Sequence, residues 1–475
     1  MTKNETQQRS IWALASAGIY VAAALAFLIG MFRLNVLPGT YFYGLIGGII
    51  LISIPILWGL IRKKKSKGKI LLALLALLLA AGIAAAFVYV QSTLSFMEKV
   101  TEKEQTHNFY AVVREESKYQ ELKDIKGETV SVLNVEDETY EKAKKQLLDS
   151  VKVDFKKVDA IDKLAESLID KETDVIFLNS AYYELALEEI DGFTEDTTRI
   201  LQSYDVTKKE EVKKKATNVT KDAFHVYISG IDTTGSITNI SRSDVNMVMT
   251  VNPVTKSILL TSIPRDYHVK LASFGAYDKL THSGIYGINE TVSTVENLLD
   301  IDIEHYVKVN FTTVTKLVDA LGGISIQSEY NFSAGGHQFV VGENYVDGDA
   351  ALAFARERYS FSSGDNQRVR NQQAVITGII NKATSSTAIL TSYTDLLAAL
   401  EDNMETSFSS KEITSLVKMQ LGDMSGWTIT RCSLSGYGNS TSVYSMPNSI
   451  VYVMDPDQTS IDIAKSKIAE VMKME

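Results

Sequence analysis

The sequence predicts an α/β protein in three parts: an anchor of three transmembrane helices, a small α/β accessory module and a larger α/β module. Three observations carry this. Residues 11–32, 41–61 and 70–90 are apolar runs without Arg, Lys, Asp or Glu, each about the 20 residues that a spanning helix needs. From about 106 to 199, strand-like runs (GETVSVLNV, KVDFKKV, TDVIFLN) alternate with amphipathic helical stretches (TYEKAKKQLLDS, AIDKLAESLID), the signature of an α/β unit. A charged run, TKKEEVKKK at 207–215, then precedes a new strand, FHVYIS, so the divisions fall at 1–97, 98–215 and 216–475.

The loops orient the anchor. Residues 62–69 (RKKKSKGK) carry six positive charges, whereas the Leu34–Thr40 turn carries none. The basic loop is therefore expected in the cytoplasm, with Lys3 and Arg9 placing the N-terminus on the same side. Three crossings then deliver everything beyond about Phe96 to the outside of a multi-pass cell-membrane protein, starting with a polar stalk from Ser95 to Gln105. The first 97 residues hold nine Lys or Arg against one acid, so of the net −10 the external part carries −18. Such a surface repels nucleic acid, and the basic loop reads as a topology signal beside anionic lipid. Cys432 stands alone and excludes an internal disulfide. The accessory module mixes its acids and lysines as a solvated face does, which predicts a spacer or a protein contact.

Chemistry concentrates in the third part. Strand Phe224–Ser229 ends in GIDTTG, which exposes Asp232 in a Gly-bounded turn at a strand's carboxyl end, where open α/β sheets place ligand groups. Asp244, in SRSDVNMVMTV, starts another strand. Two such carboxylates, completed by phosphate oxygens and water, are a typical magnesium set. A third strand, within KSILLTSIPRDYHV, ends in Pro264-Arg265-Asp266, so three strand ends would bring Asp232, Asp244 and Arg265 to one rim.

Residues 356–373 (RERYSFSSGDNQRVRNQQ) pack in four of the twelve arginines. Guanidinium forks match phosphate oxygens two at a time, so the cluster predicts an anion site, and pyrophosphate fits the set better than a single phosphate. An extended Phe354–Tyr359 would place Arg356 and Arg358 on one face. A helix capped by Asp365 would put Arg368 and Gln372 on one stripe, turn Arg370 away, and let Asp365 hold the Arg368 guanidinium. A nucleophile elbow, a Walker loop and H-E-x-x-H are absent from the sequence, and its six histidines are scattered.

GIDTTG, SRSDVNM, SIPRDY, VDGDAALAFARERY and GDNQRVRNQQ, in this order within 216–475, resemble the LytR-CpsA-Psr family. The three-helix anchor and accessory module are similar to its capsule-locus members of streptococcal type. The resemblance implies an α/β/α sandwich and a phosphotransferase that moves capsular polysaccharide from a polyprenyl-pyrophosphate carrier to peptidoglycan. Its implied partners are the lipid-linked polysaccharide, peptidoglycan, the bilayer and other capsule-assembly proteins. Asp232 and Asp244 would hold magnesium, or manganese in its place. Arg265, Arg356, Arg358, Arg368 and Gln372 would hold the pyrophosphate, and Arg265, Asp365 and Arg368 would be catalytic, with Asp365 orienting an arginine or acting as base. Helices around Phe311–Leu321 and Ala374–Ile380 are the candidates for an apolar slot. Two departures leave Arg370 and His282 unassigned: Asn371 stands where many members have arginine, and Lys279-Leu280-Thr281-His282-Ser283 replaces Lys-Ile-Asn-x-Ala. A membrane-tethered regulator of capsule expression and a carrier-lipid hydrolase are the alternative readings.

Overall fold

The computed structural model describes residues 3–62, 66–101, 105–208, 215, 217–231, 237–385, 396, 399–401 and 403–473. Helices α1 (Lys3–Leu34), α2 (Gly39–Arg62) and α3 (Ser66–Thr101) contain three segments, Ile11–Leu34, Gly39–Ile61 and Lys67–Phe96, long and apolar enough to cross a membrane. Small residues let α1 and α3 approach closely: Ala13, Ala76 and Ala80 are buried where they meet, and a Cβ on Gly30 would lie 3.0 Å from Val90. The first part of the expected polar stalk is helical: α3 continues to Thr101, since SFMEKV contains no Pro or Gly to stop it, while residues 102–104 lie outside the described residues. Residues 63–65 of the basic loop lie outside the described residues.

The accessory module runs β1 (Gln105–Arg114), β2 (Thr129–Leu133), α4 (Glu138–Ser150), β3 (Asp154–Val158), α5 (Ile161–Ile169), β4 (Val175–Asn179), α6 (Ser180–Glu189) and β5 (Thr198–Lys208). Its sheet has the order β3-β2-β4-β1-β5, with β2, β3 and β4 parallel and β1 antiparallel to both β4 and β5. Sequence periodicity found β2, β3 and β4 but not the antiparallel β1 and β5. Strand β5 runs to Lys208 and takes in the first two residues of the charged run, Thr207 and Lys208, whose residues 209–214 lie outside the described residues.

The third part begins with β6 (Phe224–Ile231), β7 (Val245–Asn252) and β8 (Ser257–Ile263), followed by a small hairpin, β9 (His268–Lys270) and β10 (Tyr277–Lys279). Next come α7 (Leu280–Ser283), α8 (Ile288–Leu299), β11 (His305–Asn310) and α9 (Phe311–Ala320). A subdomain of β12 (Ile324–Ser328), β13 (Phe332–Ala334), β14 (His337–Phe339) and β15 (Gly342–Val346) leads to α10 (Gly348–Arg356) and α11 (Asp365–Ser385). The chain closes with β16 (Met404–Thr406), α12 (Ser410–Asp423), β17 (Thr428–Ser433), β18 (Gly436–Val443), β19 (Met446–Pro456) and α13 (Gln458–Met472).

Six strands form one sheet in the order β16-β11-β6-β7-β8-β17. Alternation along its strands sends side chains to two cores. Tyr227, Val248 and Leu259 meet α8 and α13, whereas Val226, Met247 and Leu260 meet α11 and α12, and the result is an α/β/α sandwich.

The accessory module is welded to this sandwich. Thr106 and Ile240 pair through the backbone, the buried Asp162 accepts from the Asn448 N–H at 2.6 Å, and one hydrophobic cluster runs from Phe109 and Leu164 into Ile240, Ile285 and Met446. A spacer does not bury its surface in this way.

Candidate active site

The antiparallel β6-β7-β8 arrangement delivers the end of β6, the start of β7 and the end of β8 to one rim. Asp244 and Arg265 meet there: Arg265 Nη1 donates to Asp244 Oδ1 at 2.9 Å, and Thr281 Oγ1 donates to the same oxygen at 3.3 Å. Asp232, one residue beyond β6, lies outside the described residues. Gly284 allows this rim to close. A Cβ there would lie 2.6 Å from the Ser241 carbonyl and 2.9 Å from the Ser243 nitrogen. Gly284→Ala is expected to displace the segment leading into Asp244, cost about 1–3 kcal/mol of stability in thermal melts, and lower turnover with it.

From the other side, α11 starts one residue earlier than a helix capped by Asp365 would: Asp365 is its first residue, the Gly364 carbonyl accepts from the Gln367 and Arg368 N–H groups, and Asp365 Oδ1 lies 2.5 Å from Arg368 Nη2 as the i, i+3 spacing predicts. Arg370 turns away to Glu329, Ser363 and Gln367 rather than to open solvent. Arg356 and Arg358 do not share an extended strand. The stretch GDAALAFAR, N-capped by Asp347, forms α10, and Arg356 is its last residue. Helix propensity and that cap prevail over the local alternation of charge. The Arg356 guanidinium lies 4.5 Å over the Phe311 ring, and Arg358 lies 4.8 Å over Tyr359 while donating to its hydroxyl at 2.7 Å. Asn371 is buried, donating to the Phe354 carbonyl at 3.0 Å, so the departure at 371 pins α11 to the end of α10. Gln373 bonds to the Leu260 and Cys432 carbonyls and holds α11 on the sheet, whereas Gln372 opens onto a cavity.

Burial and neighbouring charge set the two central arginines apart. Arg265 and Arg368 are both largely buried, and among the described residues each has an Nε–H with no hydrogen-bond partner. Burial opposes the Arg265 charge, but Asp244 and Asp266 more than offset it. For Arg368 the balance runs the other way: burial, reinforced by Arg265 and Arg358, lowers its pKa in spite of Asp365 and Asp244. An anion between these guanidiniums would restore the balance.

Asp266, next to Arg265, is a largely buried acid. Burial, with Asp365 adding to it, raises its pKa above the ordinary 3.8 despite Arg265 and Lys279. The folded protein thus holds this proton more tightly than the unfolded chain, so the stability it contributes is complete below pH 3.8 and is lost as pH rises through the raised value. Asp266→Asn is therefore expected to raise the melting temperature near neutral pH and leave it little changed at about pH 3, in melts across pH.

Sequence reasoning missed Glu188, at the end of α6 in the accessory module. Its carboxylate reaches Arg265 at 3.3 Å and also pairs with Arg242, while Glu189 pairs with Lys279. The signal was hidden because EEI reads as an ordinary solvated helix end. Glu188 occupies a place that a phosphate oxygen would take, so Glu188→Gln is expected to tighten inorganic pyrophosphate binding about fivefold by calorimetry.

Beside the arginines lies an apolar cavity of roughly 260 Å³ between α9, α11 and the sheet, lined by Phe311, Val314, Leu317, Ile376 and Ile380. Its far wall includes Leu400 and Met404, which pack in one cluster with Val90 and Phe96 of α3 and Leu34 of α1. The cavity and the end of the anchor therefore share Leu400 and Met404 as a common wall.

A mixed sheet whose rim gathers Asp244 and Arg265 opposite Asp365 and Arg368, beside an apolar cavity and behind three helices long and apolar enough to cross a membrane, defines an α/β/α sandwich protein with an apolar helical anchor. The pattern of the LytR_cpsA_psr family matches residues 192–463, and the chain belongs to that family. Among its relatives is the Enterococcus faecalis polyisoprenyl-teichoic acid–peptidoglycan teichoic acid transferase TagU, 39% identical over 204 residues, which are 42% of this chain and 67% of the relative. The Bacillus subtilis protein of that name is 38% identical over 211 residues, 44% of this chain and 67% of its own length. The crystal structure of B. subtilis TagU aligns with 32% identity and a TM-score of 0.42, over 54% of this chain and 99% of that one.

Proposed function

We propose that this protein is a membrane-anchored phosphotransferase that moves a capsular glycopolymer from a polyprenyl-pyrophosphate carrier to peptidoglycan on the outer face of the membrane. The observation that carries the reading is the pair of largely buried guanidiniums at Arg265 and Arg368, each with an Nε–H that lacks a hydrogen-bond partner among the described residues, near an apolar cavity that shares a wall with the anchor. Pyrophosphate would answer the first feature and a polyprenyl chain the second. The relatives named as teichoic acid transferases support glycopolymer transfer to peptidoglycan. The three-helix anchor and accessory module, which lie almost wholly before the family match, support the capsular branch.

Arg265, Arg358 and Arg368 would bind the two phosphates, with Arg356 and Gln372 at the point where the pyrophosphate passes into the cavity. An acceptor hydroxyl attacks the phosphorus on the glycan side. A new P–O bond forms, the P–O bond to the polyprenyl phosphate breaks, and the departing monophosphate keeps the bridging oxygen. Positioning and charge stabilisation dominate such a transfer. Asp365 fixes the Arg368 fork. Asp244 would suit a divalent cation, since its two side-chain hydrogen bonds among the described residues both fall on Oδ1; Asp232 would complete the pair. Magnesium bound there would neutralise phosphate charge.

The polymer is testable with two synthetic donors on the same carrier, one bearing a phosphate-free oligosaccharide and the other a teichoic acid repeat. Faster transfer of the oligosaccharide to a peptidoglycan fragment is expected, and transfer of the teichoic repeat alone would contradict the capsular reading.

A further inference from the structure

A second crevice, of about 700 Å³, lies between the accessory module and the sandwich, and the transfer reaction above makes no use of it. Its position follows from topology. In the order β3-β2-β4 the chain leaves β2 to one side for β3 and then crosses back to β4 on the other, so the connections diverge between the carboxyl ends of β2 and β4. Open α/β sheets leave a ligand cleft at that divergence. Here Asn134 follows β2, Asp159 follows β3, and Asn179 ends β4, and all three line the crevice.

The sandwich supplies the opposite wall. Phe274 from the β9–β10 turn, Tyr286 after α7 and Tyr444 from the β18–β19 turn form an aromatic patch, with Phe274 4.6 Å from Tyr286 and 4.9 Å from Tyr444 between ring centroids. Phe274 and Tyr444 are 42% and 43% exposed, so two large ring faces remain available. At the base, His107 is 9% exposed and its Nε2 has no hydrogen-bond partner among the described residues, while Nδ1 lies 3.3 Å from the Thr139 hydroxyl. Burial lowers the His107 pKa and keeps the ring neutral at pH 7. Glu136, Asp137 and Asp159 outnumber Lys208 along the lining, so phosphate is repelled. Open ring faces, amides, carboxylates and a neutral imidazole suit a ligand with apolar C–H faces and many hydroxyls.

We propose that this crevice is a saccharide-binding site, which holds a segment of glycan away from the arginine cluster. Tyr182 at the start of α6 lines the crevice, and Glu188 at the other end of the same helix contacts Arg265, so bound glycan is held one short helix from the reacting phosphates. The glycan has two sources with this chemistry, the acceptor strand and the sugar of the donor.

Calorimetry on the full chain in detergent tests the site with two probes, peptide-free peptidoglycan oligomers and carrier-free wall polysaccharide without phosphate. Saturable binding of either probe is expected, weakened about tenfold by Tyr444→Ala and by Phe274→Ala, both at exposed positions. The melting temperature and the affinity for inorganic pyrophosphate should stay unchanged in these variants. Tighter binding of the peptidoglycan oligomers assigns the crevice to the acceptor, and tighter binding of the polysaccharide assigns it to the donor. Failure of both probes to bind at millimolar concentration, affinities indifferent to both substitutions, or displacement of the saccharide by pyrophosphate would overturn the proposal. Pyrophosphate affinity measured in the same samples distinguishes a failure of this crevice from a failure of the transfer site.

Discussion

Arg368→Ala is expected to lower glycopolymer transfer by about 10³-fold, the scale on which arginines that stabilise phosphoryl-transfer charge act. Its guanidinium is largely buried, its charge is disfavoured by burial and by Arg265 and Arg358, and its Nε–H lacks a hydrogen-bond partner among the described residues. Removing it relieves this burial and like-charge cost and takes away a phosphate donor, so the melting temperature should hold while turnover collapses. Arg368→Lys should recover little, because one ammonium cannot reproduce a fork held by Asp365. Initial rates with a lipid-linked donor, beside a thermal melt, separate these outcomes. A variant that melts early would report a structural arginine instead.

Filling the apolar cavity should produce the next largest effect. Ile376 faces the space between α9 and α11, and Ile376→Trp would occupy much of it. Displacing one five-carbon isoprene unit forfeits about 3–4 kcal/mol at roughly 0.8 kcal/mol per buried CH₂; partial accommodation brings the expected loss in kcat/KM to about 10²-fold. A donor with a two-isoprene tail should react equally well with both proteins. Equal losses on long and short donors would mean that the substitution disturbed the sheet, and that the cavity is core.

These two expectations also show how much the sequence disclosed. The anchor, the β6-β7-β8 rim and the Asp365–Arg368 pairing were legible, because each depends on local signals: unbroken apolar runs, strand ends at Gly or Pro, and an acid three residues before its arginine in a first helical turn. The cavity was legible only as two apolar helical faces, since periodicity cannot distinguish a lined slot from a packed core. Arg356 was misplaced because alternation in ARERY suggested a strand, while the helix-forming run before it and the Asp347 cap decide the backbone. Glu188 was invisible, since its contact with Arg265 spans 77 residues and depends on how two modules dock. The same holds for the aromatic patch, whose Phe274 and Tyr444 come from separate turns.

The most direct test follows phosphorus through one reaction. Full-length protein in detergent, with magnesium, is given a polyprenyl-pyrophosphate-linked oligosaccharide and a saturating peptidoglycan fragment, and the products are resolved by mass spectrometry and phosphorus NMR. A phosphodiester joining oligosaccharide to fragment, formed one for one with polyprenyl monophosphate and lost in Arg265→Ala and Arg368→Ala, is the predicted result. Free oligosaccharide phosphate with no adduct would identify a hydrolase and contradict the account.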